Sequence, residues 1–483
     1  MRVTAVPFSD LSQLRAIDGM IAAHPDDLRW RFARACCLDD LGRPDEAAAA
    51  YAAVLEREPA HFGALTNLGS LALARDELAR AWLFFQRAFI VDPNDVIARL
   101  NMAQLSVEQG AYAIARMHYD FVVANRPGDL HANLHANYGL ARLAEREGDA
   151  ASAAAYRRRA FAHPIVWAFP YTGTGEPVRV LILTAAHGGD VISNLFFDDR
   201  VVQRTIMMPE SYAPNVVLPR HDVIFNGVGE PDGARDTLER AVALIAASGK
   251  PAINDPRAVL RTGRAQVMEQ LTGIAGLVVP RTVRYSRDAI SAERLAADGF
   301  TFPVLVRSPG FHAGAHFERI EAPADLAGAL AALPGAELFA IEFVDAFGAD
   351  GWLRKYRVAF VDGELYPIHL ALARQWKVHY FSAAMHDHPE HRDEEARFLA
   401  DLPGTVGERG MRALATIART LGLDFGGVDF GRTVDGRIVV FETNATMAIY
   451  PPGDDPRWDY RRPAIDGAIG AVRAMIVRRG LTP

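Results

Sequence analysis

The N-terminal third of the chain carries apolar positions at helical spacing, interrupted by proline at one fixed period. Pro25, Pro59, Pro93 and Pro127 each fall 34 residues apart. The segments between them register: Ala47, Ala81 and Ala115 share one position, and Tyr51, Phe85 and Tyr119 another. Gly42 and Gly110 fall at a third, where the middle unit has Asp76. Small residues let paired helices approach closely, aromatics fill the groove between them, and proline closes each unit. The pattern predicts helical hairpins stacked into a curved solenoid with a concave binding face. A further unit, displaced in register, is expected over about 133–164, and a partial one ahead of Pro25.

Past this region the pattern changes. YTGTGEP (171–177) is polar and rich in Gly and Pro, as a domain boundary would be. VRVLILT (178–184) then reads as a buried strand of a parallel sheet. Strand-like runs at 201–207 and 222–226 and a helical stretch at 234–248 follow, which argues for a small α/β domain. The pair Gly188-Gly189 after the first strand is the kind of turn that can approach a ligand, and more often is only a turn. Further on, FPVLVR (302–307) ends in Arg307 and leads into SPGFHAG (308–314), a cation beside a Gly-containing loop that suits phosphate. LFAIEFV (338–344) is a buried strand bearing Glu342, Phe343 and Val344. KYRVAF (355–360), a turn at Asp362-Gly363 and LYPIHLALARQWKVHY (365–380) bring Lys355, Arg357, His369, Arg374, Lys377 and His379. So many basic groups on strands point to a nearby anion.

GGVDFGRTVDGRIVVFETNATM (426–447) reads as a β-hairpin about Asp435-Gly436. An even loop centred there sets Asp429 directly opposite Glu442, and Asn444 shares the Glu442 face because strand side chains alternate. Two carboxylates facing each other repel. A divalent cation between them turns that repulsion into a site, and Mg²⁺, which takes one or two carboxylates together with water and phosphate oxygens, fits.

Composition narrows the reading. Half the residues are hydrophobic and 23% charged, which is ordinary for a globular chain, and 483 residues exceed one core. A net charge of −7 gives no reason to expect nucleic acid or an anionic membrane as partner. There is no apolar run of spanning length and no signal-peptide pattern, and the only cysteines are the neighbours Cys36 and Cys37, so a cytoplasmic, reducing setting is expected. Lysine is confined to Lys250, Lys355 and Lys377.

The N-terminal array resembles the tetratricopeptide repeat, whose period it matches. In some members of that family a ladder of asparagines in the first helix holds an extended peptide. Here Asn67, Asn101 and Asn137 form such a column, with Asn137 requiring the register shift. The residues from about 178 to 479 resemble the ATP-grasp superfamily, in particular its glutathione-synthetase and ribosomal-S6-modification-like branch, through VDF…VFETN, FPVLVRSPG, IEFV and KYRVAFVDGELY. The resemblance implies an all-α repeat solenoid (1–168), a linker (169–177), an α/β pre-ATP-grasp domain (178–285) and an α+β ATP-grasp domain (286–483). It further implies ATP and Mg²⁺ as cofactors, with Asp429, Glu442 and Asn444 as metal ligands. Arg264, on the lead-in segment NDPRAVLRTGRAQVMEQL, and Arg307 would bind phosphates, Glu342, Phe343 and Val344 would form the adenine hinge, and Arg357 with Lys377 would be catalytic. His379 or His369 is the candidate proton acceptor. The family usually has lysine where this chain has Arg264 and Arg307, and an acid where it has Lys355. The activity implied is an ATP-dependent carboxylate–amine ligase working through an acyl phosphate on a peptide or protein held by the repeats. Alternatives are a small-molecule ligase whose repeats dock a partner, and a nucleotide-binding scaffold without turnover; a homodimer stays open.

Overall fold

The structure is a computed structural model that describes residues 11–75, 77–163, 166–186, 194–310, 316–378, 383, 385–453 and 455–481. Asp76, the pair Gly188-Gly189, residues 311–315 of the Arg307 loop, and His379 lie outside the described residues. The chain divides into two compact units, Met1–Ile165 and Val166–Pro483.

Among the described residues, the first unit consists of nine helices: α1 (Leu11–Ala23), α2 (Leu28–Asp40), α3 (Pro44–Arg57), α4 (Phe62–Ala74), α5 (Leu78–Val91), α6 (Val96–Glu108), α7 (Tyr112–Asn125), α8 (Leu130–Arg146) and α9 (Ala150–Ala160). The 34-residue period has a capping cause. Asp27, His61, Asp95 and Asp129 each precede the first helix of a hairpin and accept from a backbone N–H of its first turn, at 3.0, 3.2, 2.9 and 2.9 Å. The aromatic column is buried, and the repeat glycines make room for it. A Cβ at Gly69 would come within 2.4 Å of the Phe85 ring, and one at Gly139 within 2.3 Å of Tyr119. This is the tetratricopeptide arrangement expected. The displaced last unit has a simple origin: α8 runs for 17 residues against 13 in α2, α4 and α6, about one extra turn, so α9 starts late.

Among the described residues, the second unit contains fourteen strands: β1 (Val166–Ala168), β2 (Val178–Leu183), β3 (Val202–Met207), β4 (Val223–Asn226), β5 (Ala252–Ile253), β6 (Leu277–Val278), β7 (Thr282–Ser286), β8 (Val304–Arg307), β9 (Phe317–Ile320), β10 (Glu337–Glu342), β11 (Leu353–Val361), β12 (Glu364–Ala373), β13 (Phe425–Arg432) and β14 (Ile438–Asn444). They form three sheets ordered β1-β3-β2-β4-β5, β7-β10-β8-β9 and β12-β11-β13-β14-β6. In the first sheet β2, β3, β4 and β5 run parallel, as the continuous apolar run at 178–184 predicted, and β1 adds an antiparallel edge. The helices are α10 (Arg235–Ser248), α11 (Pro256–Val259), α12 (Arg264–Leu271), α13 (Ala292–Ala297), α14 (Leu326–Ala332), α15 (Pro389–Ala400), α16 (Leu402–Leu421) and α17 (Arg462–Gly480).

The boundaries differ from the expected ones in three places. The first unit ends at Ile165 rather than 168, because 166–168 form β1 of the first sheet. Residues 169–177 are not a free linker, because Phe169 and Thr172 donate backbone hydrogen bonds to Arg204 and Asp199 at 3.0 and 2.8 Å. The expected division at 285/286 falls inside β7, which pairs with β10 over its whole length. The reason is a shared core. α17, from the C-terminus, buries Ile465, Val472 and Ile476 with Val180 of β2 and Phe225 of β4, and with Phe425 of β13. Asn254 ties the same parts together. Held at a φ of 58°, which asparagine tolerates, its side chain donates to the carbonyls of Phe425 and Ala445 at 2.7 Å each and accepts from Phe425 N–H at 2.9 Å.

Candidate functional site

The third sheet positions the charged residues. Asp429 on β13 pairs with Glu442 on β14, as expected, although the loop is not an even one. Arg432 pairs with Ile438, and Thr433 N–H donates to Arg437 O at 3.0 Å, which is a register one residue off. A bulge between Asp429 and Phe430 restores it. On the other side Asp429 pairs with Arg357 of β11, and Arg357 with His369 of β12. His369, Arg357, Asp429 and Glu442 therefore form one row across four strands, with their side chains on a common face. Close packing beneath the row requires glycine, since a Cβ on Gly427 would meet Met447 at 2.1 Å and the Val358 carbonyl at 2.8 Å.

Charge alternates along the row. Asp429 is fully buried and both its oxygens are taken: Arg357 donates from Nε to Oδ1 at 2.6 Å and from Nη2 to Oδ2 at 2.8 Å, and the Lys355 ammonium is 2.7 Å from Oδ2. Burial raises the Asp429 pKa, but Arg357 and then Lys355 outweigh it and hold the carboxyl well below the usual range. Glu442 accepts from Arg264 Nη2 at 2.7 Å, and against the same opposition from burial the charges of Arg264 and Arg307 bring it down to about 2. His369 is pushed well below its ordinary value, first by burial and then by the Arg357 charge, and is neutral at physiological pH.

The two phosphate-binding candidates converge on Glu442. Arg264 opens α12, where its own N–H donates to Asp232 Oδ2 at 2.9 Å. Arg307 ends β8, is 7% exposed and lies over the Phe317 ring at 5.3 Å. Its pKa falls to about 10, mainly through burial and then through the nearby Arg264 charge. Of the expected hinge, Glu342 accepts from Arg281 N–H at 3.0 Å, Phe343 lies under the Arg319 guanidinium at 4.1 Å, and Val344 is half-buried. Lys377 is exposed and donates to Phe317 O at 3.2 Å, which associates it with the Arg307 side rather than with Arg357.

The three expected metal ligands differ in how they suit a divalent cation. Glu442 is ionised and its side chain is 27% exposed. Asn444 keeps its amide nitrogen, a donor, buried with no hydrogen-bond partner among the described residues, so turning the amide over to present its oxygen gives up no hydrogen bond of that nitrogen. Glu442 fits directly, and Asn444 fits with its amide turned. Asp429 differs, because Arg357 and Lys355 already engage its oxygens.

The asparagine column is enclosed. Asn67, Asn101 and Asn137 are only 1, 1 and 3% exposed. Asn67 donates to the Tyr51 hydroxyl of α3 at 2.9 Å, and Asn137 to Asn133 O of its own helix at 2.9 Å. Because α8 starts in register, the counterpart of Asn67 and Asn101 there is His135, two positions before Asn137. Asn67 thus bonds a neighbouring helix and Asn137 its own, and all three side chains are enclosed.

Sequence reasoning missed a second buried charge group beside the row. Glu395 of α15 is fully buried and accepts from Tyr460 OH at 2.5 Å and from Leu370 N–H at 3.2 Å, with Arg461 Nε at 3.5 Å. The signal available was EE at 394–395 on an otherwise amphipathic helix, which reads as a solvated face. Asp232, which holds Arg264, stands in the turn-like GEPDG (229–233) and gave no sign of a role.

No protein-family model matches this chain. Among curated proteins, likewise, none matches. Solved structures do. The D-alanine–D-alanine ligase of Bacillus anthracis aligns over 63% of this chain and 97% of its own at 12% identity, with a TM-score of 0.42. The ATP-grasp ligase PsnB, solved with a minimal precursor, Mg and ADP, aligns over 62% of this chain and 100% of its own at 17% identity and a TM-score of 0.37. A thermophilic tetratricopeptide repeat protein of Thermus thermophilus aligns over 31% of this chain and 80% of its own at 18% identity and a TM-score of 0.27. Among the described residues no helix is long and apolar enough to cross a membrane.

Proposed function

We propose that the second unit is an ATP-dependent carboxylate–amine ligase. The observation that carries this reading is the row His369–Arg357–Asp429–Glu442 with Arg264 and Arg307 converging on its end. Four cations, Arg264, Arg307, Lys355 and Arg357, surround two carboxylates, an excess of positive charge suited to a polyphosphate. Glu442 and Asn444 would hold Mg²⁺, which when bound offsets charge on the phosphates. The segment after β10, from Phe343 to Val344, offers backbone groups to adenine.

In the reaction the substrate carboxylate oxygen attacks the terminal phosphorus of ATP and ADP leaves. An amine then attacks the acyl carbon, phosphate leaves, and the amine gives up a proton. Arg307 and Arg264 orient the phosphates, and Arg357 faces the anionic oxygens formed in both steps. His369, the neighbour of Arg357 in the row, is the residue we assign to take the amine proton. Lys377 contributes on the Arg307 side.

The other substrate is proposed to be a peptide or protein engaged by the repeats. Support for a protein contact comes from Leu83, Ile90, Ile114 and Met117, which are exposed on α5 and α7. Burial of the asparagine column favours side chains other than these amides for that contact, and equally suits the alternative of a small substrate with repeats docking a partner. The test is release of ADP and phosphate on adding carboxylate and amine together, followed by mass spectrometry of candidate peptides incubated with the full chain and Mg-ATP. ADP release that needs neither acceptor would refute the ligase.

A further inference from the structure

We propose that Lys355 is the resident cation of Asp429, so that a divalent metal in this site is held by Glu442 and Asn444 without Asp429. This rests on the nucleotide-site reading given above and assigns its charges differently from the three-ligand expectation.

Asp429 is the one carboxylate of the row with no exposure at all. A carboxylate offers about four lone-pair directions. Three are already used by short contacts, with Arg357 Nε at 2.6 Å, Arg357 Nη2 at 2.8 Å and Lys355 Nζ at 2.7 Å. Mg²⁺ demands near-octahedral oxygen geometry and retains several waters, which a fully enclosed, doubly ion-paired carboxylate cannot accommodate. An ammonium needs less: it is a compact point charge with three donors on a flexible stem. The Lys355 side chain is 15% exposed, whereas Lys377 and Lys250 are exposed, so of the three lysines this one is enclosed against an acid.

Glu442 and Asn444 are in the opposite condition. Glu442 keeps 27% side-chain exposure, and Arg264 meets it in a single contact through one oxygen. Asn444 lies two residues along the same strand face, and its buried amide nitrogen has no partner among the described residues, so the amide can turn to offer its oxygen without that nitrogen losing a hydrogen bond. Arg357 is then fixed from one side by Asp429 and aimed along the row, and Lys355 keeps Asp429 neutralised whether or not metal is bound.

The experiment is Mn²⁺ binding followed by electron paramagnetic resonance on the full chain with a non-hydrolysable ATP analogue. The wild type is expected to bind one Mn²⁺ per chain, and Glu442→Gln to lose it by roughly a hundredfold in affinity. Lys355→Met uncovers Asp429, so it is expected to bind a second Mn²⁺ or to bind the first about tenfold more tightly. Two Mn²⁺ per wild-type chain would overturn the proposal, as would Lys355→Met binding no more metal than the wild type. Absence of both Mn²⁺ and analogue binding in the wild type would overturn it together with the nucleotide site, whereas binding of the analogue with two ions would leave that site standing. Asp429→Asn, where it folds, should retain the single Mn²⁺, and its loss there would count against the proposal.

Discussion

Both units bury polar side chains, and they do so in different ways. In the repeats one buried group is a neutral amide: Asn67 is 1% exposed and bonds the Tyr51 hydroxyl of the neighbouring helix. In the second unit, beside neutral amides such as Asn254, one is a fully enclosed charge, Asp429, held by Arg357 and Lys355. A neutral amide costs far less to enclose than a charge, so it can be repeated along an array at little risk. A buried carboxylate requires counter-charges held at fixed distance, and such an arrangement is a site as much as a staple. The difference teaches that burial alone does not identify function, whereas the sign and number of the partners help to.

The comparison can be broken most severely at Asp429. Asp429→Asn removes the partner of two enclosed cations, and loss of a buried ion-pair partner costs about 3–5 kcal/mol. Chemical denaturation should show that loss in the second unit, and a change under about 1 kcal/mol would mean the row is not the staple described. Arg307→Ala comes next. Losing a charge-assisted phosphate contact is worth about 1.5–3 kcal/mol, so KM for ATP should rise by roughly ten- to a hundredfold, while Arg307→Lys, which keeps the charge, should retain most of the activity. Unchanged KM in Arg307→Ala would remove Arg307 from the nucleotide site.

Acid sharpens the contrast. His369 and Glu442 both have depressed values in the folded state, so each stabilises the fold above its ordinary pKa and loses that effect as pH falls. Stability of the second unit should therefore begin to fall below about pH 6.5 through His369, and fall further from about 4.5 towards 2 through Glu442. His369→Gln should flatten the first limb and leave the second. The smallest effect is in the repeats: Asn67→Ala should cost about 1–2 kcal/mol by removing the buried amide that donates to the Tyr51 hydroxyl, with turnover unchanged. Reduced capture of a peptide substrate at unchanged stability would restore the column as a binding face.

Much of this was legible in the sequence because periodicity reports backbone geometry. The 34-residue spacing is the spacing of the caps Asp27, His61, Asp95 and Asp129, and the alternation around Asp435-Gly436 placed Asp429 against Glu442. That pairing came through a bulge that the sequence did not announce. What stayed hidden was set by long-range packing. The hold of Asn254 on Phe425 and Ala445, the enclosure of Glu395 by Tyr460 and Arg461, and the direction of the asparagine amides each depend on elements far apart in the chain. Lys355 was visible as a departure from a motif, but its partner was not.

The central claim is that Glu442 anchors a nucleotide site in the second unit, and thermal denaturation with and without Mg-ATP tests it most directly. At a hundredfold excess over Kd, bound nucleotide should stabilise the wild type by about 2.7 kcal/mol, and Glu442→Gln should lose most of that gain. A wild-type protein whose unfolding is indifferent to Mg-ATP, or a Glu442→Gln variant stabilised as fully as the wild type, would contradict the account.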